Sequence, residues 1–239
     1  MREFEFVVRF DEGVDDLMDV FRAYPSLSAR TSVCVCTEET MWRVDHLKGP
    51  AEGLEAVEEV FLDESRCNEC LDAPDCETSR WYQVLDRQSN ALTVYTRRRE
   101  VSDCRSVPYI VVDHLGDGVL FEARRTGAEY RWKVLYPEDG PVGALYDAIE
   151  AELRPGLELE VSHLRTAGNW DVESSAGARL SHDHWEVLEA AYEAGYYERP
   201  REVTVTELAE ELGVPRSTVQ YRLRTAEDTV LSRFIERSL

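Results

Sequence analysis

An α+β region followed by an all-α domain is what this 239-residue sequence predicts, and three observations carry the prediction. Short runs of alternating apolar and polar residues recur over residues 1–165. Between them lie segments with apolar residues at i, i+3, i+4 and i+7. Beyond residue 180 only the helical spacing remains. This length suggests two domains, or three at most. A hydrophobic content of 43% with 10% aromatics supplies their cores and excludes a wholly disordered chain. No apolar run approaches the roughly 18 residues of a bilayer span, so no membrane association is expected. Residues 1–6 lack the apolar stretch of a secretory signal, and the protein is expected in the cytoplasm.

Phe4, Phe6, Val8 and Phe10 share one face of a first strand. Val14, Leu17, Met18 and Phe21 then form a helical stripe stopped before Pro25. Strands follow around residues 32–37 and 41–48. A second helix carries Leu54, Val57 and Phe61, and strands return around 81–85 and 92–97. The order β-α-β-β-α-β predicts a ferredoxin-like antiparallel sheet with helices on one face. Residues 107–112, VPYIVV, read as a strand buried on both faces. Asp117-Gly118 and Thr126-Gly127 mark turns before two further strands, at 119–121 and 130–136. A helix with Pro141 in its first turn carries Val142, Leu145, Ile149 and Leu153, and stops at Pro155-Gly156 before a closing strand with Leu157, Leu159 and Val161. Residues 1–165 thus form one sensor region, or two subdomains (about 1–100 and 101–165) sharing sheets. Residues 166–179, TAGNWDVESSAGAR, read as a linker, and 180–239 as the helical domain.

In that last domain the first helix, residues 180–197, shows Trp185, Leu188, Ala191 and Tyr192 along a stripe. Thr204 and Glu207 have capping-box spacing. The short helix they open ends at Gly213, and a third helix follows Pro215. Small Ala209, a turn glycine and a shared core of Leu208, Leu212, Val214, Val219 and Leu223 are the roles of a helix-turn-helix. The outer face of the third helix presents Arg216, Ser217, Thr218, Gln220, Tyr221 and Arg224, hydrogen-bonding types suited to phosphates and base edges of double-stranded DNA. Residues 213–226 hold three arginines and no acid in a chain of net charge −21, the local footprint of a groove-binding helix. Two half-sites would require a homodimer. Val230, Leu231, Phe234 and Ile235 offer it an apolar stripe, and packing on its own domain explains that stripe equally well.

The segment AAYEAGYYERPREVTVTELAEELGVPRSTVQYRLRTAE, within residues 180–231, resembles the Bat-type (bacterio-opsin-activator-like) helix-turn-helix family of halophilic archaea. Pro215 departs from the Ser or Thr that caps many such recognition helices. The resemblance implies a sequence-specific transcription regulator. Composition agrees: Lys+Arg is 27 against Asp+Glu 48, and only Lys48 and Lys133 are lysines. Such acidity suits molar salt, where a Debye length of about 3 Å screens the repulsion between acidic protein and DNA.

Six cysteines in a cytosolic chain favour metal or redox chemistry over structural disulfides. Cys67 and Cys70 form a C-x2-C pair, Cys76 follows closely, and Cys104 lies beyond a hairpin. The 66–78 segment is too poor in apolar residues to order itself by burial, so a metal would supply the cross-link. These four are the candidate ligands, and four thiolates suit an iron–sulfur cluster or, alternatively, zinc. Cys34 and Cys36, two apart on a strand, read as sheet packing, although either could replace Cys104. A Bat-type module behind a cysteine-rich region also resembles regulators of anaerobic respiration, which implies a response to oxygen or redox state. Loss of the cross-link would rearrange the sensor and alter the DNA-binding units. The competing readings are a small-molecule-sensing regulator with structural zinc and a redox electron carrier. No nucleophile elbow, phosphate loop or hydrolase signature supports an enzyme, and His46, His114, His163, His182 and His184 are scattered.

Overall fold

A computed structural model describes residues 1–72, 76–100, 104–137, 142–166 and 180–238, without the side chains of 233 and 236–238. The chain divides into two compact units, Met1–Gly168 and Asn169–Leu239. Most of the linker expected at 166–179 and the Pro141 helix start lie outside the described residues. The first unit runs β1 (Arg2–Phe10), α1 (Asp16–Ala23), β2 (Ser28–Cys36), β3 (Thr40–Lys48), α2 (Ala51–Phe61), β4 (Ser79–Arg87), β5 (Ala91–Arg99), α3 (Val107–Leu115), β6 (Leu120–Thr126), β7 (Glu129–Tyr136), α4 (Val142–Ala151) and β8 (Leu157–Thr166). The second holds α5 (His182–Glu193), α6 (Val205–Leu212) and α7 (Arg216–Ser238). The α+β-then-helical prediction is borne out.

Among the described residues, eight strands join one antiparallel sheet in the order β4-β5-β3-β2-β6-β7-β1-β8. The chain is two successive β-α-β-β-α-β units, β1 to β4 and β5 to β8. In a ferredoxin-like unit the first strand sits between the fourth and the third. Here β5 occupies that place in the first half and β1 occupies it in the second, so the units exchange their first strands. A tight hairpin explains the exchange, because Gln88 N bonds Ala91 O at 2.8 Å and keeps β5 beside β4. The slot left for β1 is then between β7 and β8, where Phe4 pairs with Val134 and Leu164. The two halves join through β2 and β6, with Arg30 opposite Arg124. Phe4, Phe6, Phe21, Phe61 and Trp132 sit in one core under the helices.

The VPYIVV run is the start of α3, not a strand. A short, wholly apolar run has no periodicity to separate a buried strand from a buried helix. Pro108 in the first turn favours the helix, and Val107, Ile110, Val111 and Val112 are all buried there. His114 Nδ1 lies 2.9 Å from Ile110 O near the helix end.

Gly156 has φ +88°, and a Cβ added there would fall 2.5 Å from Val14 Cγ2. Only glycine lets the turn into β8 lie against the loop before α1.

Candidate metal centre and nucleic-acid interface

Four sulfurs converge on the helix side of the sheet. The Sγ atoms of Cys67, Cys70, Cys76 and Cys104 all lie within 4.8 Å of one another. Cys70 and Cys104 are 3.5 Å apart, and Cys67 and Cys104 are 4.0 Å apart. Local backbone structure makes the approach. Asn68 Nδ2 ties the turn after α2 to Phe61 O at 2.9 Å. Beyond it Cys70 bridges Ser106, and Leu71 N bonds Arg105 O at 2.9 Å, which lays the Cys70 segment beside the Cys104 segment. Arg154 fastens that segment by donating to Cys70 O at 2.7 Å and Asp15 Oδ2 at 2.9 Å. Cys76 precedes β4, whose Arg80 reaches back to its Sγ at 3.3 Å.

Cys34 and Cys36 lie outside this cluster. They are buried in the sheet core, and burial pushes both thiols up, Cys36 to about 12. Sheet packing therefore describes them. Within the cluster, hydrogen bonds from Cys104, then Cys70 and Cys76, with the charge of Arg98, hold Cys67 well below the usual thiol range. Cys70 is pushed up by its contacts with Cys104 and Cys67, and Cys104 by its contact with Cys67.

Sequence reasoning missed the charged groups behind the sulfurs. Arg98 on β5 is buried at a position whose neighbours on the same face are Leu92, Val94 and Thr96. Its Nη1 donates to Cys67 Sγ at 2.7 Å and lies 3.9 Å from Cys104 Sγ. Glu69, inside the C-x2-C turn, is also buried. It receives Arg125 Nη2 at 2.6 Å, Tyr130 OH at 2.8 Å and Arg43 Nη1 at 3.0 Å. Arg43 Nε meets Asp45 Oδ2 at 2.7 Å, and Thr31 Oγ1 donates to Asp45 Oδ1 at 2.7 Å. The turn that carries two of the sulfurs is thus keyed into β2, β3, β6 and β7. An arginine on the apolar stripe of a strand was the available signal, because a buried charge needs a partner.

A tetrahedral ion with bonds of about 2.3 Å to sulfur sets its thiolates about 3.8 Å apart. The measured separations and the all-thiol donor set fit a bound metal, and the guanidinium of Arg98 offsets the negative charge such a site gathers.

In the second unit α5, α6 and α7 close on Val187, Ala191, Leu208, Ala209, Val219 and Leu223, with Leu212 and Val214 partly buried. The α5 stripe is partly displaced from the expected one. Ala191 and Leu188 face the core as expected and Val187 joins them, whereas Trp185 and Tyr192 are exposed. The Thr204–Glu207 capping box is present, and Gly213 ends α6 at φ 65°, ψ 26°. Pro215 O accepts from Thr218 N at 2.8 Å and Val219 N at 3.1 Å, opening α7 without a capping hydroxyl. Arg216, Ser217, Gln220, Tyr221 and Arg224 are exposed on one side of α7, with Thr218 half-buried beside them. Arg222 instead pairs with Asp183 of α5. The third helix runs unbroken to Ser238 and exposes Leu231, Phe234 and Ile235.

Residues 180–232 match the family described as HTH DNA binding domain. A curated relative, the transcriptional regulator NarO of Haloferax volcanii, is 43% identical over 51 residues, 21% of this chain and 24% of the relative. The chain therefore matches about a quarter of that relative's length. Both findings agree with the Bat-type resemblance and with a DNA-binding regulator rather than an enzyme. Residues 3–170, well over half of the chain, match the N-terminal family HVO_2928_N. The chain belongs to the HVO_2928_N family, and it carries a Bat-type helix-turn-helix DNA-binding domain behind that family's N-terminal region.

Proposed function

We propose that this protein is a sequence-specific transcription regulator that reads double-stranded DNA with α7, under control of a metal held by Cys67, Cys70, Cys76 and Cys104. The observation that carries the reading is the convergence of Cys104 with the three thiols of the 67–76 segment, beside a buried arginine. Two sulfur pairs at 3.5 and 4.0 Å, with all four sulfurs within 4.8 Å of one another, favour one tetrahedral ion such as zinc. An iron–sulfur cluster distributes its thiolates over several irons and so spreads them further. Cys67 and Cys70 from the turn after α2, Cys76 before β4 and Cys104 before α3 would hold the ion, and their shared ligation would cross-link these segments.

The chain's own residues do the rest. Glu69, Arg43 and Arg125 hold the C-x2-C turn; Cys104, Cys70 and Cys76 favour Cys67 as thiolate, and Arg98 adds a hydrogen bond and its charge. Cys70 and Cys104 are close enough to form a disulfide. Hydrogen peroxide would take two electrons from the two thiolates, its O–O bond breaking as the S–S bond forms, and leave as two waters with two protons from solvent; two ligands would be lost and the cross-link released. That chemistry makes the site responsive to redox state. Leu231, Phe234 and Ile235 on the exposed end of α7 supply a surface for homodimerisation, which half-site recognition needs. No helix among the described residues is long and apolar enough to cross a membrane.

Arg216→Ala and Arg224→Ala are each expected to weaken binding to the protein's own promoter DNA by about tenfold and to reduce the salt dependence by about one unit per lost phosphate contact. Anisotropy titrations across a salt series measure both. Unchanged affinity and slope in both variants would remove α7 as the reading helix.

A further inference from the structure

Helices α1 to α4 cover one face of the sheet. On the half built from β4, β5, β3 and β2, the opposite face carries side chains that the core does not use. Strand register places Val35, Trp42, Arg97 and Trp81 in one row and Val33, Val44, Tyr95 and Gln83 in the next. Trp42 is 37% exposed and Trp81 47%. The Trp81 ring meets Tyr95 edge-on, with centroids 5.9 Å apart. Arg97 lies between the two indoles in its row. Arg30, His46, Lys48 and Arg99 take outward positions around them, with Asp86 at the β4 end. This is a basic, aromatic surface on a chain whose net charge is −21.

We infer that this face is a stacking platform for single-stranded nucleic acid. Trp42, Trp81 and Tyr95 take unpaired bases, while Arg97, Arg99 and Lys48 take phosphates. It is formed by the first unit's sheet alone and does not rest on the role proposed for α7.

Three features argue for this occupant. First, β5 and β3 are the two middle strands of a ferredoxin-ordered half-sheet. Aromatic side chains on the open face of such four-stranded sheets stack bases. Second, the rings are spread over a flat sheet surface, with Trp42 and Trp81 two strands apart, about 10 Å. Rings spaced in this way suit successive bases of an extended strand. Third, the charge has the sign that phosphates require. A second copy laid face to face would instead set this arginine-bearing row against its own like charges. Stacking is sequence-tolerant and retains strength when salt screens the phosphate contacts.

The test uses the full-length protein with labelled oligo-dT and oligo-U of about twelve nucleotides, within the site sizes usual for such surfaces. Binding is expected to raise anisotropy and quench tryptophan fluorescence, and the two oligomers distinguish deoxyribose from ribose chains. Trp42→Ala, Trp81→Ala and Arg97→Ala should each weaken it about tenfold, with Trp42→Phe retaining most of the affinity. Duplex promoter binding and far-ultraviolet circular dichroism should be unchanged in these variants, and Arg216→Ala should leave oligomer binding intact. Failure of both oligomers to bind, or binding insensitive to all three substitutions, would overturn the proposal. So would a loss of self-association in Trp42→Ala or Trp81→Ala without an effect on oligomer binding, which would assign the face to a second copy.

Discussion

Glu69→Leu is expected to lower the stability of the α+β unit by about 3–5 kcal/mol, a large share of the total for a domain of this size. The carboxylate stands between two buried guanidinium groups, Arg125 at 2.6 Å and Arg43 at 3.0 Å, and accepts from Tyr130. Removing it leaves Arg125 without its carboxylate and Arg43 with one carboxylate, Asp45, and the Tyr130 hydroxyl. Urea unfolding followed at the tryptophans reports the shift in midpoint. A change below about 1 kcal/mol would mean that the pairs are hydrated and add nothing. The same group sets an acid limit. Burial pushes the Glu69 carboxyl up, but Arg125 and Arg43 outweigh it and hold it below its ordinary 4.5. A depressed native pKa contributes stability that is complete above the unfolded value and is lost as pH falls through the folded one. The wild-type protein should therefore lose stability below about pH 4.5, and that part of the acid dependence should vanish in Glu69→Leu.

Arg98→Met is expected to weaken metal binding by about 10- to 100-fold, the range for groups that support ligands without touching the ion. The substitution roughly preserves side-chain volume, so the core stays filled while the cation beside Cys67 is lost. Gathering thiolates then costs more. The loss should be greatest at low pH, where protons compete with the metal for sulfur. Arg98→Lys, which keeps the charge, should recover part of the affinity. Competition against a chromophoric chelator over a pH series measures all three proteins. Equal affinities throughout would show that Arg98 only fills space.

The element types were readable because alternation and helical spacing survive in short windows. Phe4, Phe6, Val8 and Phe10 announce β1, and Thr204 with Glu207 announces the start of α6. What failed was non-local. Nothing in β1 states that its partners are β7 and β8, because the exchange is decided by the hairpin between β4 and β5. The VPYIVV run misled because a wholly apolar segment has no period to read. In α5 the expected Leu188 and Ala191 do face the core, but Val187 joins them while Trp185 and Tyr192 stay exposed, because the apolar stripe admits two faces.

The candidate metal site was more legible than its surroundings. Cysteines are rare, and their spacing limits which of them can meet, so Cys67, Cys70, Cys76 and Cys104 could be grouped before any coordinates. Arg43, Arg98 and Arg125 could not be told from surface arginines until strand parity was fixed. Their inward positions convert a loose cysteine-rich loop into one keyed to both halves of the sheet.

The most direct measurement is the metal content of protein purified anaerobically without added metal, combined with its visible absorption. The account predicts about one tetrahedrally bound ion per chain, lost in Cys67→Ser and Cys70→Ser, with promoter affinity changing when the metal is removed. Protein that holds no metal under those conditions, or that binds its promoter identically with and without it, would contradict the account.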